Sequence, residues 1–400
     1  MGRVCVIGAG FAGLAAADAL TRGGYEVVVA EARDRVGGRV WSDRLATGAL
    51  IERGAEFITA GYTTTEAYAA RFGLALDGMG IRYPDRALRP DPGLDRGAVL
   101  TAAAAVERAA AAAPTVPALD LLAATVADPS IAELFASRLQ SARSHPVEDL
   151  SAGFLRGISK YLADEECRRI RGGNDGIARG LAAGLDVRLG TPARAVRSDR
   201  RGVHVEVDGG TIDAEVVVCA VPVAVIGDLV FEPALPGAVV EEIRATRTGV
   251  AAKLAAPLRA AVPADAIMSV PRRFWAYTTP CDEIGGRTVG SWAGASPVLE
   301  DLAADAGAER WLAAIGELWP ELDVDADGAS VTVWRDDPWA GGSYSVLEPI
   351  ADPVTTLGAP VGRVAFAGEH TSGDWGATIE GALRSGERAA GEVLATLDRP

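Results

Sequence analysis

The sequence predicts an α/β fold in which a parallel sheet is joined to a second, α+β unit. Three observations predict it: an apolar strand at residues 4–7 that runs into a glycine-rich turn, a second apolar strand at 27–30 that ends on an acid, and a return to a buried strand followed by a helix near position 361. At 400 residues with 49% hydrophobic positions, the chain exceeds one ordinary core and is expected to form two domains.

After the first strand, Gly8, Gly10 and Gly13 form a G-x-G-x-x-G turn that opens an Ala/Leu-rich helix at Phe11 and Ala12. The first glycine bends the chain, the second lets a pyrophosphate approach the backbone, and the third lets helix and strand pack closely. The N–H groups and positive dipole end of the helix then face the anion. Glu31 follows Gly13 by about 18 positions, near the roughly 20 expected for a ribose-binding acid. Its carboxylate would accept from both ribose hydroxyls and repel a 2′-phosphate, which disfavours NADP. Ala32, Arg33, Arg35, Gly37, Gly38 and Arg39 come next, with guanidinium groups placed to bridge phosphates and ribityl oxygens.

With these residues the chain resembles the FAD-dependent amine oxidase family, the flavin monoamine oxidase and polyamine oxidase superfamily, whose members carry E-A-x-x-R-x-G-G-R here. A second match stands at 361–370, VGRVAFAGEH, a buried strand running into Gly368-Glu369, and at 378–394, a helix with apolar and small residues on one face. This pair resembles the closing G-E-x-T motif of the family and the helix whose first turn points at the flavin. The resemblance implies a Rossmann-like FAD-binding domain of the glutathione-reductase type, formed by 1–61, 171–253 and 357–400, with an interleaved α+β substrate domain at 62–170 and 254–356 that includes a helical subdomain.

The same resemblance implies how FAD is held. Besides the glycine turn, Glu31, Ala32, Arg33, Gly38 and Arg39, it places Gly54, Ala55, Glu56, Phe57 and Trp334 on the cofactor and Ala195-Val196 beside the adenine. Glu369 would bind the ribityl chain, and the backbone at Thr378 and Ile379 would meet the pyrimidine carbonyl. The segment Trp339-Ala340-Gly341-Gly342-Ser343-Tyr344 resembles the S-G-G-C-Y segment of the family. Ser343 stands where covalent members have cysteine, so noncovalent FAD is expected.

Between the two matches, 62–166 reads as mostly helical, with an alanine-rich run at 101–113 stopped by Pro114 and further segments at 131–144 and 154–164. Gly172-Gly173-Asn174 opens a helix at 176–185. Short strands are expected at 187–188, 193–198, 203–207 and 211–220, and a sheet flooring the substrate pocket within 254–356.

Lys253 is one of two lysines in an arginine-using chain and sits in an apolar, strand-like context where an ammonium needs a reason to be. By the resemblance it is the catalytic residue: it would hold a water near the flavin and favour electron transfer to O2. The alternative is an edge-strand lysine that snorkels. Seven of the eight tryptophans follow position 270, and their faces suit an amine-bearing substrate. Phe57, Trp339, Tyr344 and Thr378 are the expected pocket residues, with Tyr344 one wall of the family's aromatic cage and Thr378 in place of the other. Ala377-Thr378 resembles the branch that includes the histone lysine demethylases, and implies room for a bulkier or secondary amine. L-Amino-acid oxidases place a carboxylate-binding arginine where this chain has Phe57. An α-amino acid is therefore disfavoured unless an arginine from the unmatched 62–170 region substitutes. Glu56 would face a second cationic group of the substrate or support the flavin loop.

The implied reaction is a two-electron oxidation of a neutral amine to an imine, with O2 as acceptor and hydrogen peroxide as product. The rivals are a carbon–carbon dehydrogenase of the protoporphyrinogen oxidase or carotenoid desaturase kind, and a flavin-binding protein without turnover. Lys253 and the G-G-S-Y segment favour the amine branch. A net charge of −15 argues against nucleic acid and anionic membranes. No apolar run is long enough for a membrane span, and the early first strand predicts no signal peptide. Cys5, Cys167, Cys219 and Cys281 lack metal-site spacing, as do His145, His204 and His370, so no metal is expected and a reducing cytoplasm fits. The sequence leaves the oligomeric state open, with a homodimer as the candidate assembly.

Overall fold

The computed structural model describes residues 2–163, 165–347 and 356–397. Strand β1 (Arg3–Ile7) lies at the centre of a five-stranded parallel sheet. Helix α1 (Phe11–Arg22) connects it to β2 (Glu26–Ala30), with Asp186–Arg188 beyond, while Val216–Cys219 and Val364–Phe366 lie on the other side. After the exposed Arg3 and Glu26, β1 and β2 are apolar at every position because both faces of the sheet are covered. Val4 and Val6 pack under α1 and the closing helix Ile379–Leu397, whereas Cys5 and Ile7 point to a second β-layer that supplies Val196, Val203 and Val205.

That second layer is a four-stranded sheet in the order Gly210–Ala214, Val203–Val207, Ala193–Ser198, Val230–Glu232. The single strand expected at 211–220 is thus two. The chain turns at Glu215, whose N–H bonds to the Arg3 carbonyl, and Val216–Cys219 joins the parallel sheet instead. The strand expected over 361–370 is short, Val364–Phe366, because residues 361–364 form a tight turn.

The other unit is built on a six-stranded sheet in the order Ser330–Val333, Ala251–Pro257, Thr288–Gly294, Phe274–Thr278, Asp265–Ser269, Ala87–Arg89, antiparallel except for the last pair. One face packs on Trp311 and Ile315 of helix Glu309–Leu318. The opposite face carries Lys253, Trp292, Trp275 and Met268 as register partners across four strands. A boundary at 253/254 falls inside Ala251–Pro257, so Lys253 belongs to this sheet.

Helices Arg96–Ala112, Ala118–Thr125 and Pro129–Arg143 share a core with the 3₁₀ segment Ala152–Leu162 around Val106, Leu122, Phe135 and Phe154. Asp95 and Asp128 cap two of these helices by accepting from the Ala98 and Ser130 N–H groups. The region before them is not all helical. Leu76–Arg82 is a strand paired with Glu166–Ile170, its Met79 and Ile81 buried at a period of two. Helix Thr63–Arg71 joins the nucleotide half: Tyr68 and Ala69 enter that core, and Glu380 of the closing helix accepts from the Thr64 and Thr65 N–H groups. Among the described residues no helix is long and apolar enough to cross a membrane.

Candidate active site

A cavity of about 640 Å³ runs between the two units, within the range of small-molecule and cofactor sites. Its floor at one end is the glycine turn. No side chain caps α1, so its first N–H groups are left to whatever occupies the cavity. Gly13 lies behind the wall, where a Cβ would come 1.9 Å from the Gly8 carbonyl oxygen. The loop after β2 folds back over this turn: the Gly37 N–H bonds to the Ala9 carbonyl at 2.9 Å, and a Cβ on Gly38 would stand 3.1 Å from the Gly10 Cα. Gly37 and Gly38 have φ of +98° and +60°, which side-chain-bearing residues adopt only at a cost.

Glu31 is buried on the cavity wall and accepts from the Ala9 and Arg33 N–H groups at 2.6 and 2.8 Å. Burial raises its carboxyl above the usual range against the pull of those two N–H groups. Arg33 makes a two-armed bridge to Asp337. Arg39 donates to the Ser343 carbonyl at 2.9 Å and to Glu369 at 3.0 Å. Glu369 also accepts from Ser345 and from the N–H of Ala377, a residue held at φ +64°. Burial would raise the Glu369 carboxyl, but Arg39 and these donors hold it below the usual range. The closing helix points its N-terminus at the cavity through Ala377, Thr378 and Ile379, with the Thr378 hydroxyl accepting from the Gly381 N–H.

At the far end, Lys253 is 5% exposed and donates to Glu56 and, at 3.1 Å, to the Gly54 carbonyl. Glu56 also accepts from the Tyr277 hydroxyl and, at 3.2 Å, from Arg169. Burial alone would raise the Glu56 carboxyl; Lys253 and Arg169 outweigh it and hold the group ionised. Around this cluster stand aromatic rings: Phe57 against Trp275 at 5.3 Å, and Trp292 parallel to Tyr344 at 6.3 Å. Helix Pro129–Arg143 anchors the second pair, since Trp292 donates to the Ser141 carbonyl and Tyr344 to that of Ala142.

A family model of flavin-containing amine oxidoreductases matches residues 11–150 and 118–394. The chain belongs to this family. This flavin-containing amine oxidoreductase is 27% identical to lysine-specific histone demethylase 2 of Homo sapiens over 98% of its own length and 53% of that protein. It thus spans about half the length of the histone demethylases it matches. It is 30% identical to nicotine dehydrogenase of Pseudomonas putida, over 98% of its own length and 88% of that protein. A structure of putrescine oxidase bound to putrescine superposes with a TM-score of 0.86 at 20% identity, covering 98% of this chain and 99% of that one, a likeness of fold.

The cofactor of the oxidoreductase is FAD, and the residues present fit it. The uncapped α1 start would suit a diphosphate, Glu31 faces the cavity as a ribose acid would, and the buried Ser343 Oγ on the wall has no hydrogen-bond partner among the described residues. A serine forms no thioether, so the fit is noncovalent.

Most residues singled out from the sequence meet on this wall, including Gly54, Ala55, Trp334, Trp339 and Gly368. Ala195 and Val196 are corrections: they are buried in the β-layer, Val196 beside Val205 and Phe231, and only Ala193 and Arg194 at the start of their strand reach the cavity. Glu56 is occupied by Lys253, Arg169 and Tyr277, which favours support of the loop over contact with a cationic substrate group. Sequence reasoning missed Tyr83, Arg86, Arg138, Arg169 and Tyr277. Arg138 carried a signal, a charge in the same buried helical stripe as Ile131, Leu134 and Phe135.

Proposed function

We propose that this oxidoreductase converts the C–N bond of an amine to an imine and returns the electrons to O2, releasing hydrogen peroxide. The observation that carries the proposal is the row Lys253, Trp292 and Trp275 facing the same cavity that the glycine turn and the closing helix open into. FAD, when bound, supplies the two-electron acceptor.

The chain's own residues bind and orient. The α1 N-terminus, with Gly8, Gly10, Phe11 and Ala12, would hold the diphosphate and Glu31 the adenosine ribose. Arg39 and Glu369 brace the loop that carries Ser343, and the closing helix turns its positive end toward the charge that reduction develops. Phe57, Trp275, Trp292 and Tyr344 give the chamber an aromatic wall, against which a neutral amine is desolvated at less cost than its ammonium form. Among the described residues no histidine or cysteine lines the cavity, and in this reading the amine reacts in its neutral form. Lys253 offers the positive charge that helps electron transfer to O2.

A second reading concerns the acceptor. The Lys253 ammonium is bonded to the ionised Glu56, which blunts its field and favours an acceptor other than O2; two relatives are dehydrogenases by name. One experiment separates the readings. The purified yellow protein is mixed without oxygen with aryl-alkyl amines, polyamines, N-methyl amines and amino acids, and loss of the visible flavin band is followed; air is then admitted and peroxide measured. No bleaching by any amine would end the proposal, and bleaching without peroxide would select the second acceptor.

A further inference from the structure

We propose that Glu52 is a positioning residue for the acceptor half of the reaction: one buried water joins it to Arg169 and Thr288 beside the Lys253–Glu56 pair, and its proton sets the charge of that cluster. The inference rests on the amine-oxidation reading and adds its control by protons.

Two residues along the sheet from Lys253, Trp292 and Trp275 stands the row Ser330, Ala255, Gly290 and Tyr277, whose side chains face the same way. Three of these are small, and Tyr277 lies across the glycine: a Cβ on Gly290 would stand 2.5 Å from Tyr277 Cζ. The ring lying flat brings the Tyr277 hydroxyl to Glu56. Strand Leu50–Glu52 packs over the small residues, with Ile51 and Ala255 in one apolar cluster. Beside them it leaves a separate cavity of about 20 Å³, room for a single water. Lys253 and Glu56 line this cavity as well as the main one.

A buried water needs two to four polar partners. Arg169 and Thr288 line the small cavity and are 2% and 5% exposed, and Arg169 Nε and Nη2 and Thr288 Oγ1 have no hydrogen-bond partner among the described residues. Leaving such groups unsatisfied is costly, and a water supplies the missing bonds. Glu52, buried on the same wall, accepts from the Ser42 hydroxyl and the Asn174 N–H at 2.8 Å each, which leaves each oxygen a further lone pair. The other charged residues of the wall are matched. Arg53 bridges Asp43 and donates to Ser330 and Thr332, while Asp282 accepts from the N–H groups of Ile284, Gly286 and Arg287.

Glu52 thus faces Arg169 and Glu56, with Lys253 and Tyr277 beyond them on the same wall. Burial pushes its carboxyl up to about 7, against the pull of Arg169 and of the Asn174 N–H. Glu56 stays ionised beside Lys253 and Arg169, so Glu52 is the acid of the cluster that changes charge near neutrality. Its ionisation removes one positive unit from the cluster that meets the main cavity through Lys253. Negative charge developing in that cavity is then stabilised less.

The test compares the FAD-loaded wild type with Glu52→Gln, which mimics the protonated acid, across pH. Flavin midpoint potentials, set by dye equilibration without any amine, should coincide below pH 7 and diverge above it, with the wild type lower. Reoxidation by O2 should follow, the wild type becoming about 10-fold slower than the variant at high pH. Parallel potential curves overturn the inference. A high-resolution crystal structure should show one water within hydrogen-bond reach of Arg169 and Thr288, and a dry cavity overturns the bridge. Thr288→Val is the second variant, milder than Glu52→Gln: loss of a water partner should displace the pH at which the wild-type potential bends, and an unmoved bend overturns the role of the water. Divergent potentials in an enzyme that no amine bleaches would keep the role of Glu52 and remove the amine reading. Bleaching and peroxide with parallel potentials would do the reverse.

Discussion

Replacing Lys253 by methionine keeps the bulk of the side chain and removes its charge. Glu56 would then lose one donor and keep Arg169 and the Tyr277 hydroxyl. At the 3.2 Å separation of Arg169 and Glu56, with an effective dielectric near 20, the remaining attraction is about 5 kcal/mol before desolvation. The carboxylate therefore stays ionised, and the loss resembles a missing hydrogen bond, about 1–3 kcal/mol, more than a bare buried charge at about 3–5 kcal/mol. A domain stable by about 5–15 kcal/mol tolerates that loss, so the variant should fold and remain yellow. Reduction by amine without oxygen should persist. Reoxidation on mixing with O2 should slow by about 10–100-fold, less than the full effect of a lost electrostatic donor because Glu56 already offsets part of the charge. Stopped-flow recovery of the flavin band measures this, and urea unfolding measures the stability. Reoxidation at the wild-type rate would remove Lys253 from the oxygen half of the reaction.

Three further perturbations address the frame. Burial pushes the Glu52 carboxyl up to about 7, from 4.5, against Arg169 and the Asn174 N–H. A folded value above the unfolded one means that stability is full below about pH 4.5 and is lost as pH rises through 7, by on the order of 3 kcal/mol. Glu52→Gln should flatten that decline in urea midpoints; parallel curves would refute the assignment. Gly13→Ala puts a Cβ 1.9 Å from the Gly8 carbonyl, so the protein should emerge colourless or insoluble, and a yellow, stable variant would contradict the packing. Asp337→Asn breaks the two-armed bridge to Arg33, partly buried, and should cost about 1–3 kcal/mol in urea unfolding, with weaker FAD retention on gel filtration as a second readout.

The legible parts were those where neighbours in sequence are neighbours in space. A strand, a turn that only glycine can make, a helix start and an acid at the end of the next strand are fixed by short-range sterics and by the side-chain period. Hence β1, α1, β2 and Glu31 could be read in order, and the closing strand and helix likewise. Contiguity also misled. Residues 211–220 read as one strand, but the turn at Glu215 sends its halves to different sheets, and Ala195-Val196 lie two residues too far along their strand to reach the cavity. The site's chemistry depends instead on contacts across long separations. Lys253 faces Trp292 and Trp275 only because three strands pair in that register, and a one-residue slip would turn all three away. Arg138 enters the chamber because a helical subdomain docks over it, and Arg86 because Ala87–Arg89 pairs at the edge of the six-stranded sheet. Sequence by itself determined that a dinucleotide cofactor has a cradle at one end of this chain, since local backbone geometry suffices for that. Only the tertiary structure decided which charges and rings line the cavity, because register and docking are set by the burial of whole faces and not by any one segment.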